Sequence, residues 1–458
     1  MARNDGSGGS RSVLWFRRDL RLRDHGALLS AARAGEVLPL FVIDPRLMHS
    51  AAGPRADWVL ASVAALAADL ATYGATLVIR VGDPARVVPE VAREIDASAV
   101  YITGDYAPYG RARDAAVATA LGPIPLLSKD IPYAVEVDAV RTRNGEGFKV
   151  FGPFYRAWLA QGWHPPFRHD PGAVAWIDVA TDPVPAVGST HGVTLPEAGE
   201  WAAAAQWQRF RSSTTTYDTD RDRPDLEGTS RMSPYLKIGA VHPRTLLAQL
   251  GPADAVFRKE LAWREFYASV LSLRPDTAYG YFQPLLRGLD YARGPELEEN
   301  LSAWKEGRTG FPLVDAGMRQ LLAEGWMHNR VRMLVASFLV KDLRVEWTHG
   351  ARHFMDHLID GDIASNQHGW QWTAGSGTDA APYFRVFNPT KQAQTFDPHG
   401  DYVRRWVPEL RALSAETIHE PWLLPEGPPA PYPPPIVDHA EARRATLADY
   451  NALRQRQN

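Results

Sequence analysis

A segment towards the carboxyl end of the chain, residues 360–389, combines acidic, amide and indole side chains with glycines and other small residues. Small residues let the backbone approach a flat ring closely, carboxylates accept hydrogen bonds from hydroxyl or guanidinium groups, and indoles offer a flat polarizable surface with one donor. This combination predicts a buried pocket for a planar cofactor. The side chains that carry the prediction are Asp360, Asp362, Asn366, Trp370 and Trp372.

A second group of side chains falls on one face of a predicted helix in ELAWREFYASVL. An acid, an indole, a guanidinium and a phenol follow the spacing i, i+3, i+4 and i+7. They are Glu260, Trp263, Arg264 and Tyr267. Such a face is typical of a pocket wall that offers stacking surface and fixed polar groups. The spacing alone leaves open an amphipathic helix with an i,i+4 ion pair and ordinary aromatic packing.

The sequence GWMHNRVRMLVASFLVKDL predicts another helix with a mixed face. Four side chains share that face at helical spacing, namely Trp326, Asn329, Arg330 and Met333, and Arg332 points away from them at an angle. Two such helices facing each other would enclose a polar, aromatic-lined cavity. A buried Asn329 would need a partner, because an unsatisfied amide costs about 1 to 3 kcal/mol, and a backbone carbonyl would serve equally well.

Cations are interleaved with aromatic residues in the carboxyl-terminal half of the chain. Such a strip suits a nucleic-acid backbone with an exposed base, but scattered arginines commonly lie on a solvated surface, and both interpretations stay open. The cations are Arg221, Arg330, Arg385, Lys391, Arg404 and Arg405, and the rings are Trp370, Trp372, Tyr383 and Phe387.

The composition excludes several classes of protein. The 458 residues contain no cysteine, which rules out disulfides, thiolate catalysis and Cys-ligated metals, and His328 lacks the H-x-x-x-H or H-E-x-x-H spacing of a metal site. The formal charge of −3 is not that of a protein that coats nucleic acid, although a local basic groove would suffice for phosphate contacts. No secretory signal and no run of about 18 apolar residues is present, which predicts a cytoplasmic protein without membrane contact.

The chain divides into three predicted regions, with boundaries at residues 11–135, 136–198 and 199–458. In the first, strand-like apolar runs at 13–16, 37–43, 76–81 and 99–102 alternate with helical patterns, which predicts a parallel α/β sheet. The first strand leads into FRRDLRLRDHGAL and not into G-x-G-x-x-G, so no nicotinamide site is expected there. The second region, rich in Pro, Gly, Asp and Thr, reads as a long linker. In the third, the spacing is helical to about residue 343 with turn-like breaks, and a proline-rich tail at 421–435 precedes a last short helix at 439–456.

Several long segments, in order along nearly the whole chain, resemble the photolyase and cryptochrome family of flavoproteins, in particular class I cyclobutane pyrimidine dimer photolyases. The segments are LWFRRDLRLRDHGAL, GTSRMSPYLKIG, WREFY, FPLVDAGMRQLLAEGWMHNRVRM, ASFLVKDL and residues 360–389. The resemblance implies an N-terminal α/β antenna domain with a parallel, five-stranded, Rossmann-like sheet. It also implies an all-α C-terminal domain that holds FAD, with a damaged dinucleotide flipped into a hole above the flavin.

The resemblance assigns the flavin pocket residue by residue. Hydroxyl and backbone donors of GTSRMS fall on positions that hold the FAD phosphates and ribityl chain. Arg332 and Asp360 match a pair beside the flavin. Asp362 matches a contact near the ring edge, and Asn366 matches the residue that faces the flavin N5 nitrogen. The implied cofactor-binding residues are Tyr217, Thr229, Ser230, Arg231, Met232, Ser233, Arg264, Arg332, Asp360, Asp362 and Asn366.

The resemblance also implies that the partner is UV-damaged DNA. Glu260 matches the acid that hydrogen-bonds the bases of the dimer, and Trp263 and Trp372 match the indoles that pack against it. Asn329 and Met333 stand where the related (6-4) photolyases carry histidines, which favours cyclobutane dimers. The implied DNA-binding residues, including two arginines for the flanking phosphates, are Arg221, Glu260, Trp263, Tyr267, Asn329, Arg330, Met333 and Trp372.

The implied reaction is driven by light. Excited FADH⁻ donates an electron to the dimer, the cyclobutane ring splits and the electron returns, so no net redox change occurs. Trp370 and Trp347 match the first two members of the chain of residues that photoreduces oxidised flavin, and Tyr291 aligns with the third, which is usually a tryptophan. The implied catalytic residues are Glu260, Asn329, Asn366, Trp370, Trp347 and Tyr291.

A second chromophore is implied for the α/β domain. Family members that bind folate carry an Asn-Glu pair before their RARD-like segment, but here that place reads Tyr109-Gly110 in YITGDYAPYGRARD. Methenyltetrahydrofolate is therefore disfavoured, and the PYGR sequence resembles members that take an 8-hydroxy-deazaflavin.

Three functions are compared. The leading one is an enzyme, a light-driven carbon–carbon lyase that acts on one lesion as a monomer. A cryptochrome-type blue-light photoreceptor would keep the flavin but signal through a partner. A light-independent flavin redox enzyme is disfavoured because the nicotinamide fingerprint is absent.

Overall fold

A computed structural model describes residues 9–50, 53–186, 192–379 and 385–457, so Tyr383 of the cation and aromatic strip lies outside it. The N-terminal part is built on a parallel five-stranded sheet in the order β3-β2-β1-β4-β5. The strands are β1 (Ser10–Phe16), β2 (Gly35–Ile43), β3 (Val78–Val81), β4 (Ala99–Thr103) and β5 (Leu126–Asp130). The α/β class and the four predicted strand runs are confirmed, and β5 joins them at the edge next to β4.

Helices cover both faces of this sheet, because alternate residues of its buried strands point to opposite sides. The helices of this part are α1 (Gly26–Ala34), α2 (Pro45–Ser50), α3 (Pro54–Ala71), α4 (Pro84–Glu94) and α5 (Pro108–Leu121). Leu14 and Phe16 of β1 pack in the cluster that contains α1 and α3. Val13 and Trp15 pack in the cluster that contains α4 and α5. The first strand therefore lies at the centre of a three-layer arrangement.

The predicted linker contains a helix that the sequence analysis did not anticipate, α6 (Phe151–Gln161). Phe154 and Trp158 on this helix are fully buried, and Trp158 Nε1 donates a 2.6 Å hydrogen bond to Glu265. The cluster that includes these rings contains side chains from the sheet and from the later helices alike. Residues 136–198 thus supply part of the core as well as a connection.

The rest of the described chain is helical and holds no strand of its own, which confirms the all-α prediction. Its helices are α7 (Glu200–Arg211), α8 (Tyr217–Asp220), α9 (Ser233–Ile238), α10 (Pro243–Leu247), α11 (Ala255–Leu273), α12 (Gly294–Lys305), α13 (Pro312–Glu324), α14 (Asn329–Ser337), α15 (Trp347–His357), α16 (Ile363–Ala374), α17 (Pro389–Phe396), α18 (Asp401–Trp406) and α19 (His439–Gln457). A π-helical turn, Phe338–Asp342, follows α14. Within the described ranges, no helix combines the length and hydropathy that crossing a bilayer requires.

A buried ionic cluster joins the sheet to the helical part. The guanidinium of Arg244 on α10 lies 2.9 and 3.1 Å from the two carboxylate oxygens of Asp130, at the end of β5, and 3.0 Å from Asp24. Arg21 approaches Asp130 to 3.5 Å from the segment after β1. All four side chains are buried. Buried charges are tolerated only when paired, so this junction fixes the relative position of the two parts.

One helical prediction was wrong. α14 begins at Asn329, because the side chain of His328 caps it by accepting a hydrogen bond from the backbone N–H of Arg330. Trp326 therefore precedes the helix and does not share the predicted face. Asn329 is exposed and not buried, so the cost of an unsatisfied buried amide does not apply to it.

Candidate functional site

The predicted site residues converge because α16 packs against both α11 and α14. α11 carries Glu260 and Trp263, and α16 carries Asn366 and Trp372. One direct link between them is the stacking of Tyr267 on His368, with ring centroids 5.7 Å apart and planes 13° apart. The two groups of side chains that the sequence placed on separate helices thus belong to one region.

Arg332 and Asp360 form the first pair of this region. The guanidinium of Arg332 donates two hydrogen bonds to the carboxylate of Asp360, at 3.2 and 2.8 Å. Ser233 Oγ donates to the same carboxylate at 2.6 Å, and Trp326 Nε1 donates to Ser233 at 3.3 Å. A two-point guanidinium–carboxylate contact fixes both planes, so this end of the site is rigid.

Asp362 follows Asp360 by two residues and lies directly before α16. Its Oδ1 caps α16 by accepting from the N–H groups of Ala364 and Ser365 at 3.1 and 3.2 Å. Its Oδ2 lies 2.7 Å from Arg18 and 3.4 Å from Lys237. Burial opposes ionisation of Asp362, but the nearby cations and the cap hold its pKa well below the usual range, whereas burial lowers the pKa of Lys237 to about 8. A fixed negative charge results, with cations gathered around it.

The GTSRMS segment forms a turn before α9. Arg231 adopts a left-handed backbone conformation, with φ of 49°, and its guanidinium lies over the ring of Trp326 at 4.4 Å and 3.1 Å from Glu324. The N–H of Met232 donates to Ser230 Oγ at 3.3 Å. Thr229 and Ser230 are half-buried, Ser233 is exposed and Met232 is buried.

Two other predicted cofactor-binding residues, Arg264 and Tyr217, have their contacts outside the GTSRMS segment. The guanidinium of Arg264 donates to the backbone oxygens of Pro132 and Leu236, at 2.8 and 3.3 Å, and lies over the ring of Tyr133. Its contacts are therefore with the segment after β5 and with α9. Tyr217 is buried on α8 with Arg221 over its ring at 5.7 Å.

Asn366 is buried on α16 with its amide fixed. Its Nδ2 donates to the backbone oxygen of Ala351 at 3.0 Å and to Gln367 Oε1 at 2.9 Å. Within the described residues, both side-chain hydrogen bonds of Asn366 are donated by Nδ2, which leaves Oδ1 as the acceptor. Gly369 lies one turn further on, and a Cβ placed there would meet no atom within 4 Å. This part of α16 therefore has open space at Gly369.

A chain of charges occupies the predicted DNA side. Arg221 Nη1 donates to Glu260 Oε1 at 2.5 Å, Arg221 Nε lies 3.9 Å from Asp222, and Arg330 donates to Asp222 at 2.6 Å. Burial raises the pKa of Glu260, and the charge and hydrogen bond of Arg221 oppose the rise. The predicted base-contacting acid and the two predicted phosphate-contacting arginines are thus linked through Asp222, which the sequence analysis did not identify.

The two tryptophans predicted to pack against the lesion, Trp263 and Trp372, contact residues that the sequence analysis did not identify. The ring of Trp263 stacks on Phe151 of α6, with centroids 3.7 Å apart and planes 8° apart. Trp372 Nε1 donates to the backbone oxygen of Asp379 at 3.2 Å. Both indoles are half-buried, so each keeps accessible surface. Phe151 lies in the predicted linker, where no local pattern distinguishes it.

Asn329 and Met333 lie together on the first turn and a half of α14, with Asn329 Nδ2 3.9 Å from the Met333 sulfur. Arg330, between them in sequence, turns its guanidinium over the ring of Phe396 at 4.5 Å. The predicted lesion-facing pair is therefore adjacent and accessible to a partner.

The residues of the predicted electron relay extend from Trp370 on α16 to Trp347 at the start of α15. Trp370 packs closely on Gly350 of α15, where an added Cβ would come within 2.1 Å of the Trp370 ring. Trp347 lies one turn before Gly350, at the start of α15. The ring of Tyr281 meets Trp347 edge-on at 5.8 Å, and its hydroxyl donates to Glu346 at 2.8 Å. Tyr291 touches this group through its hydroxyl, 3.5 Å from that of Tyr281. Tyr281 has no sequence pattern that marks it.

Comparison with known proteins agrees with this arrangement. Residues 12–171 match the DNA photolyase family, and residues 257–452 match the FAD binding domain of DNA photolyase. A deoxyribodipyrimidine photo-lyase of Escherichia coli is 39% identical over 473 residues, covering 97% of this chain and 99% of the relative. The chain belongs to the DNA photolyase family.

Solved structures give the same result. A bacterial class III photolyase from Agrobacterium tumefaciens superposes with a TM-score of 0.90 at 33% identity, covering 99% of this chain and 100% of that one. A Synechocystis cryptochrome superposes with a TM-score of 0.86 at 28% identity, covering 96% and 99%. The fold is thus shared by repair enzymes and by a cryptochrome.

The donor set of the site fits FAD. Thr229 and Ser230 are half-buried hydroxyl residues of a kind that suits phosphate oxygens. Among the described residues, Asn366 Oδ1 has no hydrogen-bond donor, so it is available to accept from an N–H of a ring edge. The family match over the helical domain is to an FAD binding domain, so the chemistry of the residues and the family agree.

Proposed function

We propose that this protein is a deoxyribodipyrimidine photo-lyase that uses light to split cyclobutane pyrimidine dimers in DNA. The observation that carries the proposal is the meeting, around α11, α14, α16 and the end of α8, of the Arg332–Asp360 pair with an acid, two arginines and two half-buried indoles. The full-length match to a repair enzyme supports it. FAD, when bound and reduced, supplies the photoexcited electron that the reaction needs.

The residues of the chain divide the remaining work. Arg332 and Asp360 hold the cofactor in place through their rigid pair, and Asn366 offers Oδ1 to the flavin edge. Tyr217, Arg264 and residues 229–233, with Asp362, complete the cofactor pocket of the proposal. Because Arg332 and Asp360 are already fixed by bonds to each other, the protein loses little side-chain freedom there when the ring binds.

The DNA side acts by positioning. Arg221 and Arg330 contact phosphates on either side of the lesion, which orients the strand without reading its sequence. Trp263, Tyr267 and Trp372 pack against the flipped dimer with Asn329 and Met333, and Glu260 hydrogen-bonds its bases. Trp370, Trp347 and Tyr291 carry electrons to oxidised flavin.

A repair assay tests the proposal. Protein reduced with dithionite is mixed with an oligonucleotide that holds one thymine dimer and is illuminated at about 380 nm, where reduced flavin absorbs. Restoration of thymines is expected in the light and not in the dark. Protein that retains FAD but restores no thymines would contradict the proposal and would favour a cryptochrome-type photoreceptor. A (6-4) photoproduct in a parallel reaction is expected to remain unrepaired.

The antenna chromophore of the proposal is an 8-hydroxy-deazaflavin bound by the α/β domain. Tyr109, at the start of α5, hydrogen-bonds Asp44 at the end of β2, and Gly110 lies so close to Asp105 that a Cβ there would come within 2.2 Å. The start of α5 is thus drawn against the carboxyl ends of the strands, where ligands of such sheets bind. An absorption spectrum of native protein with a folate band and no deazaflavin band would contradict this assignment.

The proposal also includes a division into domains at residues 11–135, 136–198 and 199–458. It further includes a monomeric state. One lesion requires one site, and the residues named above all come from a single chain. Light scattering of the protein with and without dimer DNA measures the mass directly.

A further inference from the structure

Asp379 contacts two parts of the proposed lesion pocket, the start of α6 and the indole of Trp372. It lies shortly after α16 and is half-buried. Its carboxylate, its backbone N–H and its backbone oxygen each have a different partner. No other part of the proposed function uses this residue.

The carboxylate of Asp379 caps α6. The residue before that helix, Val150, has no side chain that can cap it. Asp379 Oδ1 instead accepts a 3.3 Å hydrogen bond from the N–H of Phe151, the first residue of α6. A carboxylate at this position satisfies an otherwise unpaired N–H group and favours the positive end of the helix dipole.

This cap determines where the ring of Phe151 lies. Phe151 is buried and stacks on Trp263 at 3.7 Å with an angle of 8° between the planes. Stacked rings constrain each other's plane. The orientation of the Trp263 indole therefore depends on the start of α6, and so on Asp379.

The backbone of Asp379 holds the other indole. Its oxygen accepts from Trp372 Nε1 at 3.2 Å, and its N–H donates to the oxygen of Lys149 at 2.9 Å. Both bonds depend on a left-handed backbone conformation, with φ of 53°. Asp and Asn adopt this conformation more readily than most residues.

We propose that Asp379 is a positioning residue that holds the Trp263 and Trp372 walls at a fixed separation matched to a pyrimidine dimer. The inference rests on the proposed function, because it assumes that these two indoles contact the lesion. Asp379 itself touches neither DNA nor cofactor in this scheme. Its effect passes through Phe151 on one side and through its own backbone oxygen on the other.

Two substitutions at this residue separate its two roles. Asp379→Asn keeps an acceptor for the Phe151 N–H and tolerates the left-handed backbone. Asp379→Gly keeps the backbone conformation but removes the acceptor. Phe151→Leu keeps an apolar side chain on α6 and removes the stacked ring. Asp96 is the matched control, because it is exposed and has φ of 51° but lies far along the chain in the loop after α4.

The measurement is the dark affinity of FAD-loaded protein for an oligonucleotide with one thymine dimer and for the same oligonucleotide undamaged. Asp379→Gly and Phe151→Leu are expected to weaken binding to the dimer by about tenfold, the equivalent of one lost cap, and to leave binding to undamaged DNA unchanged. Asp379→Asn, Asp96→Gly and Asp96→Asn are expected to behave as wild type.

Other results would overturn the inference. An unchanged ratio of the two affinities in Asp379→Gly would show that Asp379 has only a structural role. A loss in Asp379→Asn as large as that in Asp379→Gly would show that a retained acceptor does not hold the start of α6, which contradicts a role for the hydrogen bond. If wild-type protein itself does not prefer dimer DNA, it is the proposed function that fails.

Discussion

Arg221 and Glu260 face each other across the proposed DNA side of the site, with Nη1 2.5 Å from Oε1. Neither side chain is fully buried, at 26% and 28% exposed. The pair is therefore partly screened and contributes little to folding stability. Its significance is positional, because it places an acid that can reach bases beside a cation that can reach a phosphate.

Substitution of Glu260 tests this division. Glu260→Ala is expected to lower the quantum yield of repair by about tenfold, since a hydrogen bond to a charged group contributes roughly 1.5 to 3 kcal/mol. Dimer binding is expected to fall by less, because Arg221 and the indoles remain. Quantum yield and dissociation constant are measured on the same preparation, with Glu260→Gln as the variant that keeps a hydrogen-bonding group. Equal losses of both quantities in Glu260→Ala would show that Glu260 serves docking alone.

Tyr281 is expected to affect the photoreduction of oxidised flavin more than Tyr291 does. Within the described residues, the indole N–H groups of Trp347 and Trp370 have no hydrogen-bond acceptor, so neither has a residue ready to take its proton. Tyr281 contacts Trp347 and donates to Glu346, so it can lose an electron and a proton together.

Tyr281→Phe is therefore expected to slow light-driven reduction of oxidised flavin several-fold in the presence of a thiol. Tyr291→Phe, which removes a hydroxyl that also bonds the backbone of Leu286 at 2.9 Å, is the matched variant and is expected to have a smaller effect. Flavin absorption during illumination measures the rate, and electron paramagnetic resonance identifies the radical. A larger effect from Tyr291→Phe would reverse this order.

Gly350 is expected to tolerate no side chain. A Cβ there would lie 2.1 Å from the ring of Trp370 and 2.6 Å from Leu339, so Gly350→Ala must displace a buried indole. Overpacking of this kind costs about 1 to 3 kcal/mol. The free energy of unfolding, measured in urea, and the photoreduction rate are both expected to fall. Gly152→Ala is the control, since its new methyl group would meet only the end of Arg156 at 4.0 Å.

Acid is expected to weaken the junction between the sheet and the helical domain. Burial alone would raise the pKa of Asp130, but hydrogen bonds from Arg244 and nearby positive charges hold it well below its usual range. Burial likewise opposes ionisation of Asp19, while His25 and the N–H of Arg17 hold its pKa at about 2. Carboxylates with lowered pKa values stabilise the fold above their unfolded pKa, and this stabilisation is lost as the pH falls from about 4 to about 2.

Asp130→Asn tests this junction. Removing one member of a buried pair is expected to cost about 3 kcal/mol at pH 7, and the difference from wild type is expected to shrink near pH 3, where wild-type Asp130 begins to lose its advantage. Urea midpoints at the two pH values measure both effects. Asp96→Asn, at an exposed site, should leave the midpoints unchanged at either pH. A pH-independent difference would assign the effect of Asp130 to hydrogen-bond geometry instead of charge.

The strands were predictable because their apolar runs are buried on both faces, as in residues 37–43. The helix of Glu260 and Trp263 was predictable from its periodicity. The position of Trp326 was not, because the cap at His328 starts α14 three residues later than the pattern suggested. Periodicity reports which side chains are apolar, and a cap decides where a helix begins.

The remaining gaps in the site have a common cause. Phe151, Asp222, Tyr281 and Asp379 act through partners far away in sequence, such as the 228 positions between Phe151 and Asp379. Local patterns hold no information about such contacts. The resemblance supplied the residues that are proposed to face ligand, whereas the residues that contact and orient them became visible only in three dimensions.

The long-range cap of α6 has a consequence for how the molecule is made. A ribosome releases α6 well before it has made α16 and the carboxylate that follows, and domains fold from the amino terminus as they emerge. The nascent α6 therefore has an incomplete first turn until most of the helical domain has been synthesised. The carboxylate that caps Phe151, and so one side of the proposed pocket, is thus supplied only after the whole sheet has been synthesised.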